Sequence, residues 1–539
     1  GGPGVDTLAG GLGDDTYRFA AGWGVDDPIV ENANEGNDTI DFSALTTHLT
    51  FVVGGLSVTD GVSIAAHTGA QIENLIGGSA NDSFVFANGV TLSGKIDGRA
   101  GLDTLDLSAY TTALNARITD TGSIDGMAGT IVSVLGSFDN INTLATGSGN
   151  DTLVGANIDS TWTIDTINSY ASGGFSMDFS GVENLSGGSG TDTFRLVGTA
   201  SVNGNVAGGL GASDTLDYSA YTAAAQVNFP AGTATGVGGT LSGIEVVVSN
   251  GIGVTLDGDE NDNTLVGGLG NDTLRGHGGN DTLIGNGGDD YLDGGAGLDT
   301  VVYSGSANGV IVNLGAGTAQ DQGAGTSSGT DTLVSIENVI GSGYADHITG
   351  TTANNILTGG AGDDTLIGLG GDDTYKFSDN AGTDTITETA SGGNDTLDFS
   401  AATANLNVVA GSLQVTGTGI AVTSGGMVEN YIGGQGVDTL NFSAETTAQW
   451  VTLSGLGSAD GFAGTSSGLT GTFDNINALT GGTATDTLTG LDALSTFNLQ
   501  PATGEYVSTN NLTFTAFETL NGGSQADTFS ISGAATFTL

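Results

Sequence analysis

Apolar residues return at short, fixed intervals along this chain, each set between a glycine-rich turn and a polar position. Residues 267–302 read GGLGNDTLR, GHGGNDTLI, GNGGDDYLD and GGAGLDTVV, four nine-residue lines without a gap. Glycines open each line, Asp stands sixth and an apolar residue eighth. The three residues after the Asp, such as Thr273, Leu274 and Arg275, predict a short strand whose middle side chain faces inward. Elsewhere Thr, Val, Ile and Phe cluster between turns, helix signals are nearly absent, and only four prolines break the chain. The pattern predicts strand-turn-strand throughout.

Composition narrows the architecture. Of 539 residues only 37% are hydrophobic and 97 are glycine. A chain so polar is either disordered or a solenoid, whose narrow core needs one or two inward residues per strand. The regular return of Leu, Ile, Val and Phe after each turn favours the solenoid.

The nine-residue lines match GGxGxDxUx, with U a large aliphatic residue, and resemble the hemolysin-type repeat of RTX proteins. That resemblance implies an all-β fold, a right-handed parallel β-helix or β-roll solenoid, with calcium held in Gly-Asp turns. Glycine permits the positive φ that lets turn carbonyls face one spot, and Asp adds the hard carboxylate oxygen that calcium prefers. Two nonapeptides make one coil, so Asp272 sits over Asp290 and Asp281 over Asp299. Carboxylates about 4.8 Å apart repel unless a cation lies between them.

The motif recurs. Residues 341–376 read GSGYADHIT, GTTANNILT, GGAGDDTLI and GLGGDDTYK, pairing Asp346 with Asp364 and, more weakly, Asn355 with Asp373. Residues 1–18 supply Asp6 and Asp15. On an unchanged spacing their partners one coil later are Gly24 and Ala33, so these two sites are expected to need residues before Gly1. In GDENDNTLV, from Gly258, Asn263 takes the place of Asp. The metal set is therefore Asp6, Asp15, Asp272, Asp281, Asp290, Asp299, Asp346, Asp364 and Asp373. Isolated copies, GGSGTDTFR from Gly187 and GGSQADTFS from Gly522, read as metal-free caps of solenoid turns.

A longer repeat overlies the short one. GDDTYRF at 13–19 returns as GDDTYKF at 371–377, GNDTIDFSA at 36–44 as GNDTLDFSA at 393–401, and ENLIGG at 73–78 as ENYIGG at 429–434. The offset is about 357 residues and falls to about 335 by FDNINTL and FDNINAL. The expected organisation is a partial calcium β-roll at 1–20, β-helical spacers at 21–257, a β-roll at 258–303, a spacer at 304–340, a β-roll at 341–377 and spacers at 378–539. This alternation resembles very large bacterial surface proteins.

Charge and residue usage exclude other classes. Sixty acidic residues face seven basic ones, a net charge of −53, yet charged residues are only 12% of the chain, so acid sits at turns rather than in runs. Such a chain repels nucleic acid and anionic membrane and attracts divalent cations. It has no cysteine, which fits a bacterial secreted protein stabilised by metal and excludes Cys-type zinc sites. No apolar run reaches the length of a membrane span, and no signal peptide is found. Both ends look cut from a longer repetitive protein.

Other candidate sites fall away. Glu73, Glu183, Glu337, Glu429 and Glu518 occupy equivalent module positions, which points to ladder bonding of neighbouring backbone. The four histidines are scattered, without a zinc pattern, and His277 reads as solvent-exposed. β-Helical lyases and epimerases need basic residues beside acidic ones. Here Lys95 and Arg99 could share a face, but nothing else converges on them. Tyr17, Phe19, Tyr375 and Phe377 read as core or ladder stacking. Most N-D-T triplets lie in calcium-type turns rather than at glycosylation sites.

The reading is a non-enzymatic, calcium-loaded extracellular solenoid, a rigid repeat rod of a bacterial surface adhesin, S-layer or filament that self-associates into a fibre or layer. A second reading is a calcium-dependent folding and secretion module of an enzyme whose catalytic domain lies outside this chain. A third is a carbohydrate-binding adhesin face for a cell-surface glycan. No nucleic acid partner and no membrane insertion are expected.

Overall fold

A computed structural model describes residues 5–23, 27–32, 36–67, 71–251, 253–322, 329–389, 392–425 and 427–533. Every regular element among them is a β-strand, and no helix is long and apolar enough to cross a membrane. The chain divides into two compact units, one of Gly1–Asp259 with Asn263–Gly267, the other of Glu260–Asp262 with Gly268–Leu539.

In the second unit the nonapeptides stack as parallel coils. Strand Thr273–Gly278 pairs with Tyr291–Ala296, setting Leu274 beside Leu292. Thr282–Asn286 pairs with Thr300–Val302, setting Leu283 beside Val301. The coil repeat is 18 residues here and again from Asp346 to Asp364 and from Asn355 to Asp373. All four inward residues are fully buried, with neighbours on either side less so. Period-two strands thus give the one-residue-deep core that so polar a composition can fill.

Beyond the nonapeptides the coil lengthens. The step from Asp290 to Asp331 is 41 residues and from Asp299 to Glu337 it is 38. The added residues leave as an antiparallel excursion, Val310–Asn313 against Thr318–Asp321 and then Thr330–Val334. The parallel ladder then resumes, Val310–Asn313 pairing with His347–Thr349. Similar excursions lie at Asn407–Val409 with Gln414–Gly417, and at Trp450–Leu456 with Phe462–Ser466. The spacers therefore keep the parallel ladder and place their extra length in hairpins.

The first unit is built the same way. Thr16–Arg18, Thr39–Asp41, Asn74–Ile76 and Leu92–Asp97 form one parallel ladder. One expectation is corrected here. Gly24 and Ala33 lie outside the described residues, and the next-coil neighbour of Asp15 is Asp38, 23 residues on. The segment after Arg18 exceeds two nonapeptides, so the 18-residue step does not apply, and the partner comes from this chain.

Aromatic ladders finish the cores as expected. Tyr17, Phe19, Tyr375 and Phe377 are buried. Phe19 stacks on Phe42 and Phe377 on Phe399, both at 4.7 Å between ring centres, which is the spacing of adjacent strands.

Candidate metal centres in the coil turns

Each turn ends in a buried acid just before its strand, and the first task of that acid is to cap backbone. Asp290 Oδ1 accepts the N–H of Asp272 at 2.8 Å, and Asp299 Oδ1 accepts that of Asp281 at 2.8 Å. Asp364 takes the N–H of Asp346 at 2.8 Å and Asp373 that of Asn355 at 2.7 Å. The five repeated glutamates do the same. Glu73, Glu183, Glu337, Glu429 and Glu518 accept from Asp38, Asp151, Asp299, Asp395 and Asp486. Glu245 joins them through Asp214. Every capped N–H is one that the strand ladder leaves over, and burying it unpaired would be costly.

At most of these turns the other carboxylate oxygen takes one of two arrangements. In one kind it accepts the N–H of the second residue of its own turn: Gly78 to Asp82 at 2.6 Å, Gly188 to Asp192 at 2.8 Å, Gly434 to Asp438 at 2.6 Å and Gly482 to Asp486 at 2.5 Å. These turns close on themselves. In the other kind that second residue has a positive φ, which turns its N–H away. Examples are Asn286 (69°), Gly295 (103°), Gly360 (109°), Leu369 (80°), Arg99 (73°) and Gly209 (123°). The corresponding Oδ2 atoms of Asp290, Asp299, Asp364, Asp373, Asp103 and Asp214 are buried, with no hydrogen-bond partner among the described residues. Leucine and arginine adopt such a backbone only at a cost of about 1–2 kcal/mol, so these turns are held open against local preference.

Each open oxygen faces a bare glycine. A Cβ on Gly285 would overlap Asp290 Oδ2, one on Gly294 would overlap Asp299 Oδ2 and Ser335 O, and one on Gly359 would overlap Asp364 Oδ2. At Gly276 the same position would meet Asp281 Oδ2 and, at 2.5 Å, the carbonyl of Gly294 one coil on. Carboxylate and main-chain oxygens from successive coils thus converge on the space a side chain would fill, a hard-oxygen set that fits calcium. Gly285→Ala is accordingly expected to lower thermal stability in calcium, by about 1–3 kcal/mol if the added methyl acts as an overpacked core atom. A melting temperature equal to that of the parent chain would contradict the geometry.

Electrostatics point the same way. Burial, reinforced by neighbouring carboxylates, pushes Asp103, Asp290, Asp373 and Asp384 up to about 7 and Asp364 up to about 6. The ion pairs among the described residues, Arg18–Asp41, Lys95–Asp139 and Arg195–Asp217, touch none of these groups.

The nine sequence-derived ligands fall unevenly. Asp272, Asp281, Asp290 and Asp299 stand buried in two columns, as the spacing requires. Asp364 and Asp373 line open turns, and half-buried Asp15 has an open Oδ2 as well. Asp6 is half-buried before Leu8–Ala9. Asp346 is in column with Asp364, but Ser342 occupies both its oxygens, through N–H at 2.6 Å and hydroxyl at 2.7 Å. A serine in place of the second glycine closes that turn. The turn of Asp192, in GGSGTDTFR, is of the closed kind. Asp103, Asp214 and Asp384 share the open geometry outside the nonapeptides. Each is followed by Thr; Asp103 and Asp214 stand directly before a strand, and Asp384 lies within Gly382–Thr387.

The RTX calcium-binding nonapeptide repeat matches this chain four times, at residues 1–22, 257–292, 266–301 and 340–375. The model of the peptidase M10 serralysin C terminal matches residues 32–206. No curated protein matches the chain. Repeats of the first kind bind calcium ions.

Proposed function

We propose that this RTX protein is a calcium-loaded structural segment of a secreted bacterial protein, built for a surface adhesin, S-layer or filament. The observation that carries the reading is the register of Asp272 with Asp290 and of Asp281 with Asp299, each column facing glycine-lined turns. Calcium belongs between successive turns, held by the Oδ2 atoms of open aspartates and by turn carbonyls. Asp15, Asp272, Asp281, Asp290, Asp299, Asp364 and Asp373 are the ligands of this reading. Asp346, capped by Ser342, contributes less. Where calcium is millimolar, as outside a cell, the ions neutralise the columns and the coils lock. Where it is scarce the coils loosen. No catalytic role is assigned to the chain, because its acids recur once per coil and its few cations do not converge on them.

Titration calorimetry tests the assignment. The Asp281→Ala/Asp290→Ala double variant is expected to lose at least two calcium ions per chain. An unchanged stoichiometry would sink it.

The serralysin match at 32–206 favours a second reading, a calcium-dependent folding and secretion module of a secreted enzyme whose catalytic domain lies outside this chain. A protease or lipase domain encoded beside this segment supports that reading, whereas further repeats support the structural one.

A further inference from the structure

Where the last nonapeptide gives way to the spacer, three acids meet. Asp373 closes the repeat, Asp395 stands one coil on and accepts the N–H of Asp373 at 2.9 Å, and Glu388 lies between them in sequence. One oxygen from each lies within 4.8 Å of the others. The acids are 1%, 1% and 8% exposed, respectively, and no ion pair reaches any of them among the described residues. Asp373 Oδ2 has no hydrogen-bond partner among the described residues, and it points into the cluster, because a Cβ on Gly368 would overlap Asp373 Oδ2, Glu388 Oε1 and Tyr375 Oη together. The buried Tyr375 hydroxyl donates to Glu388 Oε1 and fixes its orientation. Leu369, next to Gly368, has a φ of 80° that keeps its own N–H out of the site.

We infer that Glu388 and Asp395, braced by Tyr375, complete at Asp373 a calcium site that binds more tightly than the other nonapeptide turns. The inference rests on the calcium reading above and adds a ligand, Glu388, that no nonapeptide contains. An ordinary turn offers carboxylate from two coils. This site brings three carboxylates to one point, and calcium affinity rises with ligand charge and site rigidity. The arrangement is built twice. Asp15, Glu31 and Asp38 also bring their oxygens within 4.8 Å, Tyr17 donates to Glu31, and Gly10 supplies the bare face. The same residue types recur in the same order, Gly-Asp-Tyr-Glu-Asp, in both copies of the long repeat.

Titrating the full chain with calcium chloride, and in parallel with terbium, tests this. Glu388→Gln is expected to bind one calcium fewer and Glu31→Gln/Glu388→Gln two fewer, with the tightest phase of the isotherm abolished. Terbium added at one or two equivalents and excited through tyrosine should emit several-fold less from Tyr17→Phe/Tyr375→Phe. The inference is overturned if Glu388→Gln keeps the full ion count and the tight phase, or if the tyrosine variants emit as the parent does. In that event the acids share protons rather than a metal. Asp281→Ala/Asp290→Ala separates the two levels. If it still loses ions, only the three-acid site fails, and if the parent chain binds no calcium at millimolar concentration, the functional reading fails with it.

Discussion

Stripped of calcium at neutral pH, the chain is expected to lose its β-structure and expand, and to regain that structure when millimolar calcium is restored. The net charge of −53 includes columns of buried carboxylates that stand one coil apart. Each open turn leaves an acceptor oxygen in a dry site, an expensive arrangement unless a cation fills it. A metal that binds only the folded state adds about 2.7 kcal/mol per site at a hundredfold excess over its dissociation constant. Several such sites together exceed the whole stability of an ordinary domain. Small-angle scattering should report a radius of gyration approaching ~90 Å in chelator, the value for an unfolded chain of this length, and a clearly smaller one in calcium. Circular dichroism should change in step. A β-rich chain of equal dimensions in both buffers would refute the expectation.

Acid should do in chelator part of what calcium does at neutral pH. Burial raises Asp103, Asp290, Asp373 and Asp384 to about 7 and Asp82, Asp331, Asp364 and Asp438 to about 6. In an unfolded chain such groups ionise near ~4. Between these values the folded form holds protons that the unfolded form has released, so stability rises as pH falls from about 7 toward 4 and is lost as pH climbs back. With calcium bound the order reverses, because a proton and the metal compete for the same oxygen. Urea unfolding at pH 5 and pH 8 checks both halves. In chelator, β-structure lost at pH 8 should return in part at pH 5 and unfold at a finite urea concentration, whereas in calcium the midpoint should be higher at pH 8. A chelated chain most stable at pH 8 would show that these carboxylates are not the groups limiting its fold.

The sequence disclosed what repeats at fixed length. The columns of Asp272 with Asp290 and Asp281 with Asp299 and the glutamate ladder were readable from spacing, and the core placement of Tyr375 and Phe377 from their strand positions. The partner of Asp15 was not, because hairpins and loops of no fixed length separate successive coils outside the nonapeptides. Nor was the division between open and closed turns, which depends on one backbone angle. Leu369 takes the left-handed conformation, whereas the glycine at position 78 donates its N–H to Asp82 instead. Residue type alone predicts the reverse. Asp103 escaped notice because GRAGLD stands alone, outside any tandem run of nonapeptides, although its Oδ2 lies as open as those of the regular turns.

The amide-to-carboxylate bonding also ties each coil to both of its neighbours. The column acid of the later coil reaches back to the N–H of the earlier one, Asp299 to Asp281 and Asp364 to Asp346, and the repeated glutamates do likewise. The acid just before a column position reaches forward instead: Asp262 accepts the N–H of Asn280, Asp289 that of Thr330, Asp363 that of Thr383 and Asp372 that of Asn394. A coil is therefore finished only when it has a coil on either side. Peeling from either end of a stack strips turn amides of an acceptor, so neither end frays without cost.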